Sequence, residues 1–115
     1  MGGDVTALGE IGMRDFEEVW LSIVSKLQPG EEIKNWGSAR GYTGGMFKIE
    51  QVHNSWIGVF GGEMTEPRNV SKGDFAKVYA VWDQYVVGNF PRAKMTNLSQ
   101  NTTYILSILR RALGT

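Results

Sequence analysis

The chain has 115 residues, 42% apolar and 21% charged, with twelve Lys and Arg against twelve Asp and Glu. That length suits one domain with one core, and a composition this close to the globular average argues against a disordered chain and against a membrane protein. No stretch reaches the roughly 18 apolar residues of a membrane helix. The lack of cysteine excludes disulfides, thiolate nucleophiles and cysteine-based metal centres, and the N-terminus has neither the basic start nor the apolar run of an export signal. A cytoplasmic location is the expectation.

The zero net charge hides a gradient. Residues 1–33 carry seven acids against Arg14 and Lys26, a net charge of −5. Residues 67–115 carry seven bases against Asp74 and Asp83, a net charge of +5, and no acid follows Asp83. Such asymmetry either marks a face for a polyanion or lets an acidic first helix and a basic last segment complement each other.

Residues 1–12 hold four glycines without a clear period and read as a flexible N-terminal segment, leaving 13–115 as a single α+β domain. Phe16, Val19, Trp20, Ile23, Val24 and Leu27 fall on one helical stripe, with Asp15 and Glu18 resembling a capping box and Pro29-Gly30 as the stop. Glu32–Trp36 is compatible with a short strand, and Gly41–Gly45 reads as a turn or ordered loop. Met46–Val52 alternates apolar and polar residues, His53-Asn54 is turn chemistry, and Ser55–Phe60 is rich in β-formers, so these form a hairpin. Arg68–Val70 adds a third short strand.

Ser71 is placed to cap a second helix, with Asp74 in its first turn. Phe75, Val78, Tyr79, Trp82, Tyr85 and Val86 keep helical spacing over three turns, Gly88 suits a left-handed terminus, and Pro91 confirms the stop. Residues 89–98 form a basic connector. Asn101 or Ser99 caps a final helix with Ile105, Ile108, Leu109, Ala112 and Leu113 on one face. The expected fold is α+β: one N-terminal helix, a small antiparallel hairpin or three-stranded sheet, and two C-terminal helices.

The residues offer little chemistry for catalysis. His53 is the one histidine and sits in the predicted turn, with no partner visible to orient it as a base. One histidine and no cysteine leave only carboxylates as metal ligands, and the pairs Glu17-Glu18 and Glu31-Glu32 each diverge. The Gly41–Gly45 run lacks the Lys-Ser/Thr of a phosphate-binding loop. No cofactor is expected. Of four tryptophans, Trp20 and Trp82 lie on helical core stripes. Trp36 and Trp56 lie in or beside strands, where they could stack bases near Lys34, Arg40 and Lys48 or enter a subunit interface.

The run Val70-Ser71-Lys72-Gly73-Asp74-Phe75, then Val78-Tyr79, Trp82, Tyr85, Gly88 and Arg92, and finally Asn101-Thr102-Thr103-Tyr104-Ile105-Leu106-Ser107-Ile108-Leu109, carries a resemblance. It resembles small uncharacterised bacterial mobile-element proteins, among them integron-cassette orphans and end domains attached to restriction-type proteins. The resemblance covers about residues 43–113. It implies a mobile-DNA context and a DNA-contacting accessory role, with Arg92, Tyr104 and the basic connector as its residues.

The leading expectation is a non-enzymatic accessory domain that binds nucleic acid weakly through its basic C-terminal half. Its candidate contacts are Arg68, Lys72, Arg92, Lys94, Tyr104, Arg110 and Arg111. The alternative is a self-associating interaction module that uses Trp36 and Trp56 and has no nucleic-acid role. A third reading is a small-ligand pocket between the sheet and the second helix, lined by Tyr79, Trp82 and Tyr85.

Overall fold

The computed structural model describes residues 15–62 and 64–114, so the flexible segment expected over 1–12 lies outside the described residues. The chain begins with α1 (Phe16–Lys26), which buries Val19, Trp20 and Ile23 and leaves Glu17 and Glu18 in its first turn, where the helix dipole favours acids. Asp15 takes the N-cap position, but its side chain makes no capping bond, so the expected capping box does not form.

Four strands follow: β1 (Glu32–Gly37), β2 (Gly41–Val52), β3 (Trp56–Gly61) and β4 (Arg68–Ser71), in an antiparallel meander of that order. This is one strand more than the expected three, because both of the weaker segments pair. The Gly41–Gly45 run is not a loop. It forms the first part of β2, opposite Gly37 and Trp36, while the turn sits one step earlier at residues 38–40. The pairing slips between Lys34 and Trp36, which explains why period-two alternation was weak there.

Residues directly opposite one another share a face. Ile33 lies opposite Phe47, Ile49 opposite Val59 and Ile57 opposite Val70, and all six are buried. Glu32 and Lys48 pair on the other face and are exposed. The sheet therefore has one side covered by helices and one side toward solvent, as antiparallel sheets commonly do.

Ser71 ends β4 and caps α2 (Lys72–Tyr79), its Oγ accepting the Asp74 N–H at 3.1 Å. The long second helix expected to run on through Val86 is instead two. At Val81 the backbone leaves helical geometry (φ −115, ψ 11), and α3 (Trp82–Val86) starts after it. The break carries Trp82 to within 5.8 Å of Trp36 and Tyr85 to 6.2 Å, ring centre to ring centre. Periodicity is blind to it, since Phe75, Val78, Trp82 and Tyr85 keep their three- and four-residue steps across the bend.

The basic connector contains a short helix, α4 (Arg92–Met95), entered through Pro91. The last helix, α5 (Thr102–Leu113), is buried beyond the single face expected for it: Ile105, Leu106, Ser107, Ile108, Leu109 and Ala112 are all inaccessible. It packs on β1 and against α1 and α2, which makes it the centre of one core. Asn101 stands at its N-cap position without a side-chain capping bond. Ser99 ties that end down, with its Oγ accepting from Asn101 N at 2.9 Å and donating to Asp74 Oδ2 at 2.7 Å. Among the described residues, no helix is long and apolar enough to cross a membrane.

Candidate nucleic-acid interface

The folded chain divides the basic residues into two groups. Lys72 Nζ lies 2.8 Å from Glu17 Oε1, and Arg111 Nε lies 2.8 Å from Glu31 Oε2. Lys26 in turn donates to the Ala112 carbonyl at 2.8 Å, at the C-terminal end of α5 where a cation suits the helix dipole. Acids of residues 1–33 and bases of residues 67–115 thus meet, and two of the seven candidate contacts, Lys72 and Arg111, are paired with Glu17 and Glu31.

Arg68, Tyr104 and Arg92 come together around the first turn of α5. The Arg68 guanidinium carbon lies 5.9 Å from the centre of the Tyr104 ring, and Nη1 donates to Asn101 Oδ1 at 3.3 Å. Tyr104 is held edge-on against Phe47, centroids 5.0 Å apart at 82°. Arg92 Nη2 donates to Thr103 Oγ1 at 3.0 Å. Lys94 is exposed on α4. Arg110 covers Trp36, its guanidinium carbon 5.2 Å from the ring. Among the described residues, no ion pair engages Arg68, Arg92, Lys94 or Arg110.

The two tryptophans proposed for an interface part company. The Trp36 ring meets Trp82, Tyr85 and Arg110, and the Trp36 backbone N–H donates to Ser107 Oγ at 2.9 Å. Trp56 is half-buried and stacks on the exposed His53, centroids 4.8 Å apart and planes 9° from parallel. His53 Nδ1 accepts the Ser55 N–H at 3.1 Å, so this histidine orders the turn.

A concavity lies where the β1–β2 turn faces the connection from α3 to α4. It is a half-open cleft of about 500 Å³ lined by residues 37–40 and by Thr43, Tyr85, Gly88, Phe90, Pro91 and Arg92. Two acid-free segments meet there: 33–49, with Lys34, Arg40 and Lys48, and 84–114, with Arg92, Lys94, Arg110 and Arg111. Arg40 and Arg92 are its charged groups. Both rims rest on glycines held at positive φ, Gly41 at 71° and Gly88 at 84°, where a side chain would be strained. The rims are also bonded to each other, since Ser38 N donates to Tyr85 Oη at 3.0 Å.

The pocket expected from Tyr79, Trp82 and Tyr85 takes a different form. Trp82 and Tyr85 are each 3% exposed, and of the three only Tyr85 lines the cleft. Phe90 is a wall of the cleft that no sequence pattern marks, and Arg40, expected only as a basic residue near Trp36 and Trp56, lines the cleft opposite Arg92's segment. The absence of acids on either side of Arg40 is its signal in the sequence. Two smaller cavities, of about 360 and 340 Å³, include Glu32 and Glu31 respectively, and both share Arg111, already bound to Glu31. Comparison of the chain with family models, curated proteins and solved structures gives no match, so the site rests on its own geometry.

Proposed function

We propose that the chain is a non-enzymatic accessory domain of mobile-DNA context that binds nucleic acid weakly. The observation that carries this is the cleft where two acid-free segments meet, with Arg40 and Arg92 on its walls and no carboxylate among its lining residues. Phosphate attracts cations that are not already neutralised, and the cations left without ion pairs include Arg92, Lys94 and Arg110 on this same half of the chain. Lys72 and Arg111 contribute less, because Glu17 and Glu31 hold them.

Anisotropy titrations of labelled single- and double-stranded DNA and RNA at low salt test the reading. Binding should weaken steeply with added salt, and Arg92→Gln should lower the salt slope by about 1. No binding to any of these probes at low salt removes the proposal. A second reading, self-association, draws on exposed Tyr42 and Met46 in β2, which are 58% and 44% accessible. Sedimentation that stays monomeric at high protein concentration would count against it.

A further inference from the structure

Resting on the nucleic-acid reading and deepening it, we infer that the cleft between the β1–β2 turn and the α3–α4 connection is a pocket for one unpaired nucleotide. Its phosphate lies between Arg40 and Arg92, and its base lies against Phe90 and Pro91. The volume of about 500 Å³ falls inside the range of small-molecule sites, roughly 300–1,000 Å³. The cleft is concave, so a base must be lowered into it. A duplex keeps its bases stacked and paired and must extrude one at a cost, whereas an unpaired base enters freely.

The charged groups suit phosphate better than other anions of the same size. Both are arginines, whose planar fork offers two parallel donors to a tetrahedral oxyanion, and no lysine or acid accompanies them in the lining. Arg92 is already oriented: one guanidinium nitrogen is anchored on Thr103 Oγ1 at 3.0 Å, leaving its other donors free for a ligand. The turn bearing Arg40 is fixed to α3 through the Ser38–Tyr85 bond. A site whose walls are set before binding loses less entropy when the ligand arrives.

The remaining lining is of the kind a base needs. Phe90 is half-buried and Pro91 exposed, which gives a flat apolar wall beside the two cations. Facing it are Gly37, Ser38 and Ala39, a run without bulky side chains, and the Ser38 and Thr43 hydroxyls offer hydrogen bonds to a base edge or sugar. The two smaller cavities each place a glutamate beside their cations, which disfavours a phosphate there.

The test is an amide-resolved NMR titration of the full chain with four probes: a single-stranded DNA hexamer, a blunt duplex of the same sequence, a nucleoside 5′-monophosphate and inorganic phosphate. Alongside the wild type run Arg40→Gln, in an exposed turn, and Phe90→Leu, which keeps apolar bulk but removes the aromatic face. Expected are shifts concentrated at residues 37–43 and 88–92, and single strand favoured over blunt duplex by roughly tenfold. Each variant should lose about tenfold on single strand and little on duplex. Equal binding of both strand forms, with neither variant altering it, overturns the pocket but leaves the polyanion reading intact. Shifts at the cleft with the monophosphate alone keep the pocket and remove the strand reading. Binding of inorganic phosphate as tight as the monophosphate overturns the base-binding wall, and no binding of any probe overturns both proposals.

Discussion

Arg111 Nε donates to Glu31 Oε2 at 2.8 Å, joining the last helix to the loop before β1 across 80 residues of sequence. With the Lys72–Glu17 pair it turns the charge gradient of the chain into an internal seam. An excess of positive charge in the second half of a sequence therefore overstates the positive surface, and what counts for a partner is the cations that the seam leaves over. Those include Arg40 and Arg92 at the cleft, Arg68 beside the first turn of α5 and Arg110 in its last turn.

The seam can be opened by charge alone. Glu17→Gln with Glu31→Gln removes two acids and releases Lys72 and Arg111, so nucleic-acid affinity at low salt should rise several-fold and the salt slope should steepen by about 1 for each released cation. Stability should fall by less than about 1 kcal/mol per pair, because the partners are partly exposed, at 34% and 65% for one pair and 46% and 22% for the other. Anisotropy and urea unfolding on the same double variant check both statements. Unchanged affinity would mean that neither cation is within reach of a bound strand.

The bond from Ser99 to Asp74 holds the start of α2 against the start of α5. Ser99 is only 7% exposed, and its hydroxyl serves both Asp74 and the Asn101 N–H. Ser99→Ala leaves a carboxylate oxygen and a backbone N–H without that partner, a loss of about 1–3 kcal/mol. Urea denaturation should register it, while binding at the cleft, which neither Ser99 nor Asp74 lines, should change little in the folded protein.

Much of the fold was legible because its signals are local. The stripe of α1, the Ser71 cap and the alternation around Phe47 and Ile49 each follow from a few consecutive residues. Other features depend on contacts that sequence spacing cannot express. The helix break at Val81 precedes the segment in which Trp82 and Tyr85 meet Trp36, and β1 becomes a strand because the glycine-rich start of β2 pairs with it despite its weak alternation. For the site, Arg68, Arg92 and Tyr104 were identifiable as a basic and aromatic set, and the structure gathers them at one helix end. Arg40 shares a cleft with Arg92 only because the turn at 38–40 is bonded to Tyr85.

The centre of the core should respond as a single unit. Phe75 has no exposure and meets Trp20 edge-on, centroids 5.3 Å apart, between α1, α2 and α5. Phe75→Ala removes that ring and leaves a cavity that three helices cannot close without moving, which costs about 3–5 kcal/mol. In a domain of this size that is a large share of total stability, so thermal unfolding of the variant should begin well below that of the wild type. Conservative Phe75→Leu should recover a good part of the loss.

Gly88 links stability to the proposed site. Its φ of 84° ends α3 and turns the chain toward Pro91 and Arg92, and a Cβ built there meets nothing within 4 Å. Gly88→Ala therefore brings no clash, only the strain of a left-handed alanine, about 1 kcal/mol. The chain can relieve that strain by shifting the connection it starts, and this connection carries Phe90 and Arg92 into the cleft. The expected result is a small drop in unfolding free energy together with a several-fold weaker affinity for single strand, larger than Gly114→Ala produces at the C-terminal cap of α5, where φ is a similar 73° but the residue does not line this cleft. If the two glycine variants lose stability alike and both bind as the wild type does, the wall formed by residues 88–92 does not set the affinity.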